Sequence, residues 1–179
     1  MKKKINRRKV IIMIIRPYTS ADFDIIRTWV TDDRTHAMWC ANLIPFPMTR
    51  EGFEAALAEG KERFGDKPLI AEEDGRAVGF FCLSDVNAEN RELMLKFVIV
   101  DSASRGKGFG RQMLALAAKY AFEELGAETV QLNVFTVNDP AKRCYLGAGF
   151  KERRVTENAF PYKDELWGRC NMFVKRGEV

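Results

Sequence analysis

Histidine is nearly absent from this chain of 179 residues, which has one, His36. An imidazole-rich zinc centre, or a triad with histidine as its base, therefore lacks parts. The four cysteines, Cys40, Cys82, Cys144 and Cys170, are far apart and form no Cys-x-x-Cys pair. That pattern argues against a disulfide scaffold and a thiolate metal site, and no metal is expected. No run approaches the roughly 18 apolar residues that span a bilayer, so no membrane partner is expected. The folded body also lacks a charge excess. Lys2, Lys3, Lys4, Arg7, Arg8 and Lys9 outweigh the net charge of +4 and leave the chain from Val10 onward at −2. The basic character belongs to a tail, and a nucleic-acid partner, which wants a basic face on the domain, is not expected.

What is present suits one α/β domain: 46% hydrophobic residues, 30% charged, and alternating strand and helix patterns without repeats. Residues 1–12 read as a basic leader, partly disordered, and 13–179 as the domain. A first strand is expected over 10–16 and a helix over 23–30, with N-cap candidates from Thr19 to Asp22. An aromatic, proline-bounded loop follows from His36 to Pro47, and then a helix near 51–64. Strands are expected over 69–72 and 77–84, joined by the hairpin signal Asp74-Gly75. The run 93–100 reads as a strand buried on both faces, 110–125 as a helix stopped by Gly126, and 130–137 as another strand. A short helix over 140–146, a turn and strand over 147–155 and a closing strand over 166–175 complete the chain.

The most informative stretch runs from Val98 to Arg111, where a strand enters a glycine turn that feeds a helix. Gly106, Gly108 and Gly110 permit left-handed backbone and close approach of a ligand. The first amides of the helix and its dipole favour an anion, and Arg105, Lys107 and Arg111 add cations around the same spot. The stretch reads as a phosphate cradle suited to a diphosphate. It is no P-loop, because Lys107 is followed by Gly108 instead of Ser or Thr. It is no dinucleotide fingerprint, because the third glycine comes one residue early. An RNA-recognition signature fails as well, since Arg111 and Gln112 open a helix where stacking residues belong.

The segment from Arg105 to Gly110 resembles the Arg/Gln-x-x-Gly-x-Gly/Ala motif of the GCN5-related N-acetyltransferases, the GNAT superfamily. The segment from Asn138 through Tyr145 to Gly149-Phe150 is similar to that family's second signature. The strong match spans about residues 93–151, and a looser one covers most of the chain and looks most like the branch with ribosomal-protein N-terminal acetyltransferases. The resemblance implies a mixed, mostly antiparallel sheet with a splayed parallel strand pair and helices on both faces. It implies acetyl-CoA as donor and direct transfer of acetyl to a primary amine, of a small molecule or a protein N-terminus. Val98, Ile99 and Val100 then pair with the pantetheine arm. The diphosphate falls to the turn of Arg105, Gly106, Lys107, Gly108, Phe109, Gly110 and Arg111. Asn138 hydrogen-bonds the cofactor arm, and Tyr145 protonates the leaving thiolate.

The general base is where the match breaks. The two strand positions at which family members place a carboxylate hold Met94 and Asn133, and neither takes a proton. Glu92, two residues before Met94, shares its face if the strand extends so far, which makes it the candidate. Trp39 and Phe46, in the aromatic loop, are candidates for the acceptor pocket. Asp32 and Asp33 could attract an amine or simply end a helix. Cys144 reads as a packed thiol. The expected protein is a cytoplasmic N-acetyltransferase, monomer or homodimer; the alternative is a non-catalytic acyl-CoA-binding module of the same fold, which the missing carboxylates favour and Tyr145 opposes.

Overall fold

The computed structural model describes residues 12–179. The expected leader, apart from Ile12, lies outside the described residues, as does the start of the first expected strand. The strands are β1 (Met13–Pro17), β2 (Lys67–Glu73), β3 (Arg76–Asn87), β4 (Glu92–Val100), β5 (Thr129–Phe135), β6 (Lys151–Tyr162) and β7 (Glu165–Lys175). They form one sheet in the order β1-β2-β3-β4-β5-β7-β6. Every pairing is antiparallel except β4 with β5. Asp74 and Gly75, with φ of 49° and 76°, supply the left-handed pair that closes β2 on β3.

The helices are α1 (Phe23–Trp29), α2 (Asp33–Cys40), α3 (Arg50–Phe64), α4 (Phe109–Glu123) and α5 (Asp139–Gly147). Strand alternation gives the sheet two apolar faces. On β3, Phe81 and Leu83 join Met113, Leu114, Ala117 and Ala121 of α4, together with Val130, Cys170 and Met172. Phe80 and Cys82 turn the other way, into a cluster with Phe23, Ile26 and Trp29 of α1 and Phe53 and Leu57 of α3. Each fully buried large side chain contributes about 1.5–3 kcal/mol, so both helical layers are held by the sheet they cover. Among the described residues no helix is long and apolar enough to cross a membrane.

Three elements differ from expectation. Residues 33–40 are helical, because Asp32 caps α2 by accepting a hydrogen bond from the Thr35 amide at 2.8 Å, and Ala41, with φ of 49°, ends it. β4 is not buried on both faces; its residues alternate between buried and partly exposed, since one face borders a cavity. β6 runs on to Tyr162 with residues 151–158 all exposed, so no apolar alternation betrays it.

Candidate active site

β4 and β5 pair from Glu92 with Thr129 to Leu95 with Leu132 and then part. The cause lies on β4. Its register against β3 slips between Cys82–Lys96 and Phe80–Ile99, and Phe97 sits in the left-handed region with φ of 53°. Such a bulge bends the strand away from its neighbour. A cavity of about 1010 Å³ opens at the divergence, walled by Val98, Ile99 and Val100 on one side and Val134 and Phe135 on the other.

The glycine turn forms one end of this cavity. Asp101 anchors it, accepting hydrogen bonds from the Ala103 amide (3.0 Å), the Ser104 hydroxyl (2.9 Å) and Arg76 (3.0 Å). Gly106 and Gly108 have φ of 76° and 85° with open space where a Cβ would point, so the backbone conformation, not crowding, calls for glycine. Gly110 has a different reason, because a Cβ there would lie 2.9 Å from Cys144 Sγ, where α4 packs on α5. Arg105, Gly106, Gly108, Gly110 and Arg111 line the cavity, whereas Lys107 and Phe109 do not. Arg105, Arg111 and, on α5, Arg143 border it without an ion pair among the described residues. Unpaired guanidinium groups around glycine amides at a helix start fit a diphosphate.

α5 brings Asn138 and Tyr145 to the same cavity. Asn138 caps the helix through its Oδ1, which accepts from the Ala141 amide at 3.3 Å, and this leaves its NH2 group uncommitted. Tyr145 is buried, and its hydroxyl has no hydrogen-bond partner among the described residues. Burial pushes its pKa above the ordinary tyrosine value, with the neighbouring Cys144 adding to the shift, so the hydroxyl keeps its proton. Cys144 is itself pushed up by burial, which leaves it a packed thiol.

The opposite side of the cavity is built by Thr35, Met38 and Trp39 of α2, Phe135 of β5, Phe160 of β6 and Arg169 of β7. Trp39, on α2 and not on a loop, is on the cavity wall, its ring 6.1 Å from that of Phe97 at the bulge. Phe46 is not. It is 49% exposed, packs against His36 with the rings tilted and 5.0 Å apart, and lines a separate hollow with Arg27, Thr28, Val30 and Met48, because α2 takes up the chain that was expected to loop around the pocket. Glu92 is also misplaced. It sits opposite Thr129, is bound to Arg153 at 2.8 Å and does not line the cavity, whose wall on β4 begins at Met94. Met94 and Asn133 do border the cavity, facing each other with Nδ2 3.9 Å from the sulfur. Asp32 is the α2 cap, and Asp33 binds Lys163 and the Tyr162 hydroxyl.

A pair that sequence reasoning passed over is His36 with Cys40, one helical turn apart, Nε2 3.4 Å from Sγ. Cys40 borders the cavity and His36 lies behind it. Burial lowers the histidine pKa and raises that of the thiol, so both are neutral and Cys40 is no activated nucleophile. The i, i+4 spacing on a helix was the available signal, hidden while α2 read as loop.

The profile of the acetyltransferase (GNAT) family matches residues 23–150. The chain belongs to that family. It is an acetyl-CoA-dependent N-acetyltransferase, so the catalytic expectation holds over the non-catalytic one. A prophage-derived uncharacterized N-acetyltransferase of Bacillus subtilis, YokL, is 28% identical over 144 residues, which are 80% of this chain and 74% of that one. The spermine/spermidine N(1)-acetyltransferase of the same organism is 27% identical over 128 residues, 68% of this chain and 84% of that one. The crystal structure of spermidine N-acetyltransferase from Vibrio cholerae with CoA and spermine superposes with a TM-score of 0.78 at 18% identity, covering 93% of this chain and 96% of that chain. The splayed seven-stranded sheet is thus the fold of this acetyltransferase.

Proposed function

We propose that this acetyltransferase moves acetyl directly from acetyl-CoA to a primary amine, of a small molecule or a protein N-terminus, with Tyr145 as the acid. The observation that carries the reading is Tyr145, a buried residue that lines the cavity beside the gap between β4 and β5, its hydroxyl unpaired among the described residues. Arg105, Arg111 and the amides of Gly106 to Gly110 hold the diphosphate, with Arg143 nearby. The free edge of Val98, Ile99 and Val100 pairs with the pantetheine amides, as unpaired backbone groups require partners. The Asn138 amide group donates to the same arm. Lys107 and Phe109 belong to the turn as scaffold and as surface charge, not as contacts.

In the transfer, nitrogen of the neutral amine bonds to the thioester carbon and the carbon–sulfur bond breaks. A backbone N–H left free by the bulge steadies the charge gathering on the carbonyl oxygen. Tyr145 gives its proton to the departing sulfur and regains one from solvent, while the amine loses its proton to water. Among the described residues the cavity offers no carboxylate or imidazole for that last step. Trp39 forms the acceptor-side wall. Four free cysteines suit the reducing cytoplasm as its location.

Tyr145→Phe is the test. CoA affinity by calorimetry should stay within about twofold, while CoA release from acetyl-CoA with a panel of amines and N-terminal peptides should fall roughly 100- to 10,000-fold. Undiminished turnover in the variant would remove Tyr145 from the chemistry.

A further inference from the structure

The polarity of the cavity's acceptor side is opposite to what a polycation needs. Among the described residues neither aspartate nor glutamate nor histidine lines the cavity, and its charged residues are Lys96, Arg105, Arg111, Arg143 and Arg169. Three of these gather at the glycine turn and α5. Lys96 is neutralised by buried Asp66 at 2.7 Å. Arg169 stands apart. It pairs across to Phe135 of β5 and Thr156 of β6, where the sheet has splayed. Its neighbours in alternation settle its direction: Cys170, Met172 and Val174 pack under α4, while Trp167 packs with Ala37 of α2 and with Phe135. Arg169 therefore shares the α2 face with Met38, Trp39 and Phe160, and it makes no ion pair among the described residues.

Acidic groups near this face are already used or lie outside. Asp33 holds Lys163, Glu165 holds Arg34, and Glu157 is exposed on β6 beyond the cavity lining. A polyamine placed here would bring two or more positive charges beside Arg169 with no carboxylate to offset them. The same cavity offers no base, because Met94 and Asn133 hold the two strand positions facing the acceptor. Without a base, rate follows the fraction of amine that is already neutral. At pH 7 a peptide α-amine, with a pKa of about 7.7–8.0, is roughly 230- to 420-fold more neutral than an alkyl amine with a pKa near 10.4.

We infer that Arg169 selects the acceptor by binding an anionic group, so that the protein acts on weakly basic amines carrying a nearby negative charge, as acidic peptide N-termini do, in preference to polyamines. This rests on the reading that the β4–β5 cavity binds acetyl-CoA. Arg169 lies on an exposed strand position, open to an extended peptide, and a guanidinium is suited to a carboxylate by its paired donors.

The experiment measures CoA release by the full chain at pH 7 with three acceptors: a peptide beginning Ser-Asp-Glu, its Ser-Lys-Lys counterpart and spermidine. The acidic peptide should exceed the basic one at least tenfold in kcat/KM, with spermidine lowest. Arg169→Gln should cut the acidic-peptide value about tenfold, through KM, and raise that of the basic peptide severalfold; Arg169→Glu should invert the preference. CoA titration of each variant reports that it is folded, and the wild-type ranking decides the matter alone if a variant is not. Preference for spermidine or the basic peptide, no turnover with any of the three, or an unchanged ratio in Arg169→Gln would each overturn the inference while leaving CoA binding intact. Failure of the wild-type chain to bind CoA would instead remove the reading beneath it.

Discussion

The two sides of the cavity are built in different ways. The donor side is nearly one piece of chain: the end of β4, the turn at 101–108 and the start of α4, with α5 packed on it through Gly110 and Cys144. The acceptor side is collected from α2, β5, β6 and β7, each giving one to four side chains between Thr35 and Arg169. The donor side works through backbone amides and left-handed glycines, which a few adjacent residues dictate. The acceptor side works through side-chain identity at positions that only tertiary packing brings together. In the function proposed above, the first grips a ligand common to many enzymes and the second sets selectivity.

The largest expected effect on this contrast comes from Gly108→Val. A β-branched residue at φ of 85° costs about 1–2 kcal/mol or more, and the strain falls on the turn that faces the cavity. CoA affinity by calorimetry should drop at least tenfold. Gly75→Val, at a similar φ of 76° in the β2–β3 turn, should lower the unfolding midpoint and leave CoA affinity unchanged. Equal loss of CoA affinity in both would mean that the turn matters only through global stability. Next in size is a pair of charge deletions. Arg105 lines the cavity and Lys107 does not. Arg105→Ala should weaken CoA binding by about three- to tenfold, the order of one net hydrogen bond, and Lys107→Ala by less than twofold. The reverse order would mean that the turn presents its other face to the ligand.

The same division explains what the sequence revealed. Arg105 to Gly110 and Asn138 to Phe150 carried the donor side, because turn conformation, helix start and cap are local. The splay itself was expected only from the family resemblance; its physical origin, the left-handed Phe97, has no local signal, since phenylalanine rarely adopts that conformation. Phe46 and Glu92 were misassigned for one reason: which side of a loop or a strand end meets a cavity depends on where neighbouring elements stop. α2 was missed because its cap, Asp32, follows α1 so closely that both aspartates read as the end of one helix. Arg169 carried no signal at all, being one exposed cation in a strand otherwise read by its apolar residues.

The smallest effect on the active site should come from the acid sensitivity of the acceptor-side layer. Arg16 at the end of β1 grips Asp22 through two hydrogen bonds, 2.9 and 2.7 Å, and the Thr19 amide adds a third at 2.8 Å. The clamp fixes the entry to α1, whose Phe23, Ile26 and Trp29 pack under the sheet. Arg16, followed by the Thr19 amide and hydroxyl, holds the Asp22 carboxyl below its ordinary pKa against the opposing effect of burial. Its contribution is therefore present in full above the unfolded value near 3.9 and is lost as pH falls through the lower folded value. Asp22→Asn removes the charge at every pH and should cost about 1–3 kcal/mol at neutrality, with a weaker fall in stability on acidification than in the wild-type chain. Denaturation followed from pH 7 to 2 checks both, and CoA affinity of the folded variant should be unchanged at pH 7. A variant that keeps the full acid dependence would place the sensitivity elsewhere. One that loses CoA binding while folded would mean that the two sides of the cavity are coupled through the sheet instead of built separately.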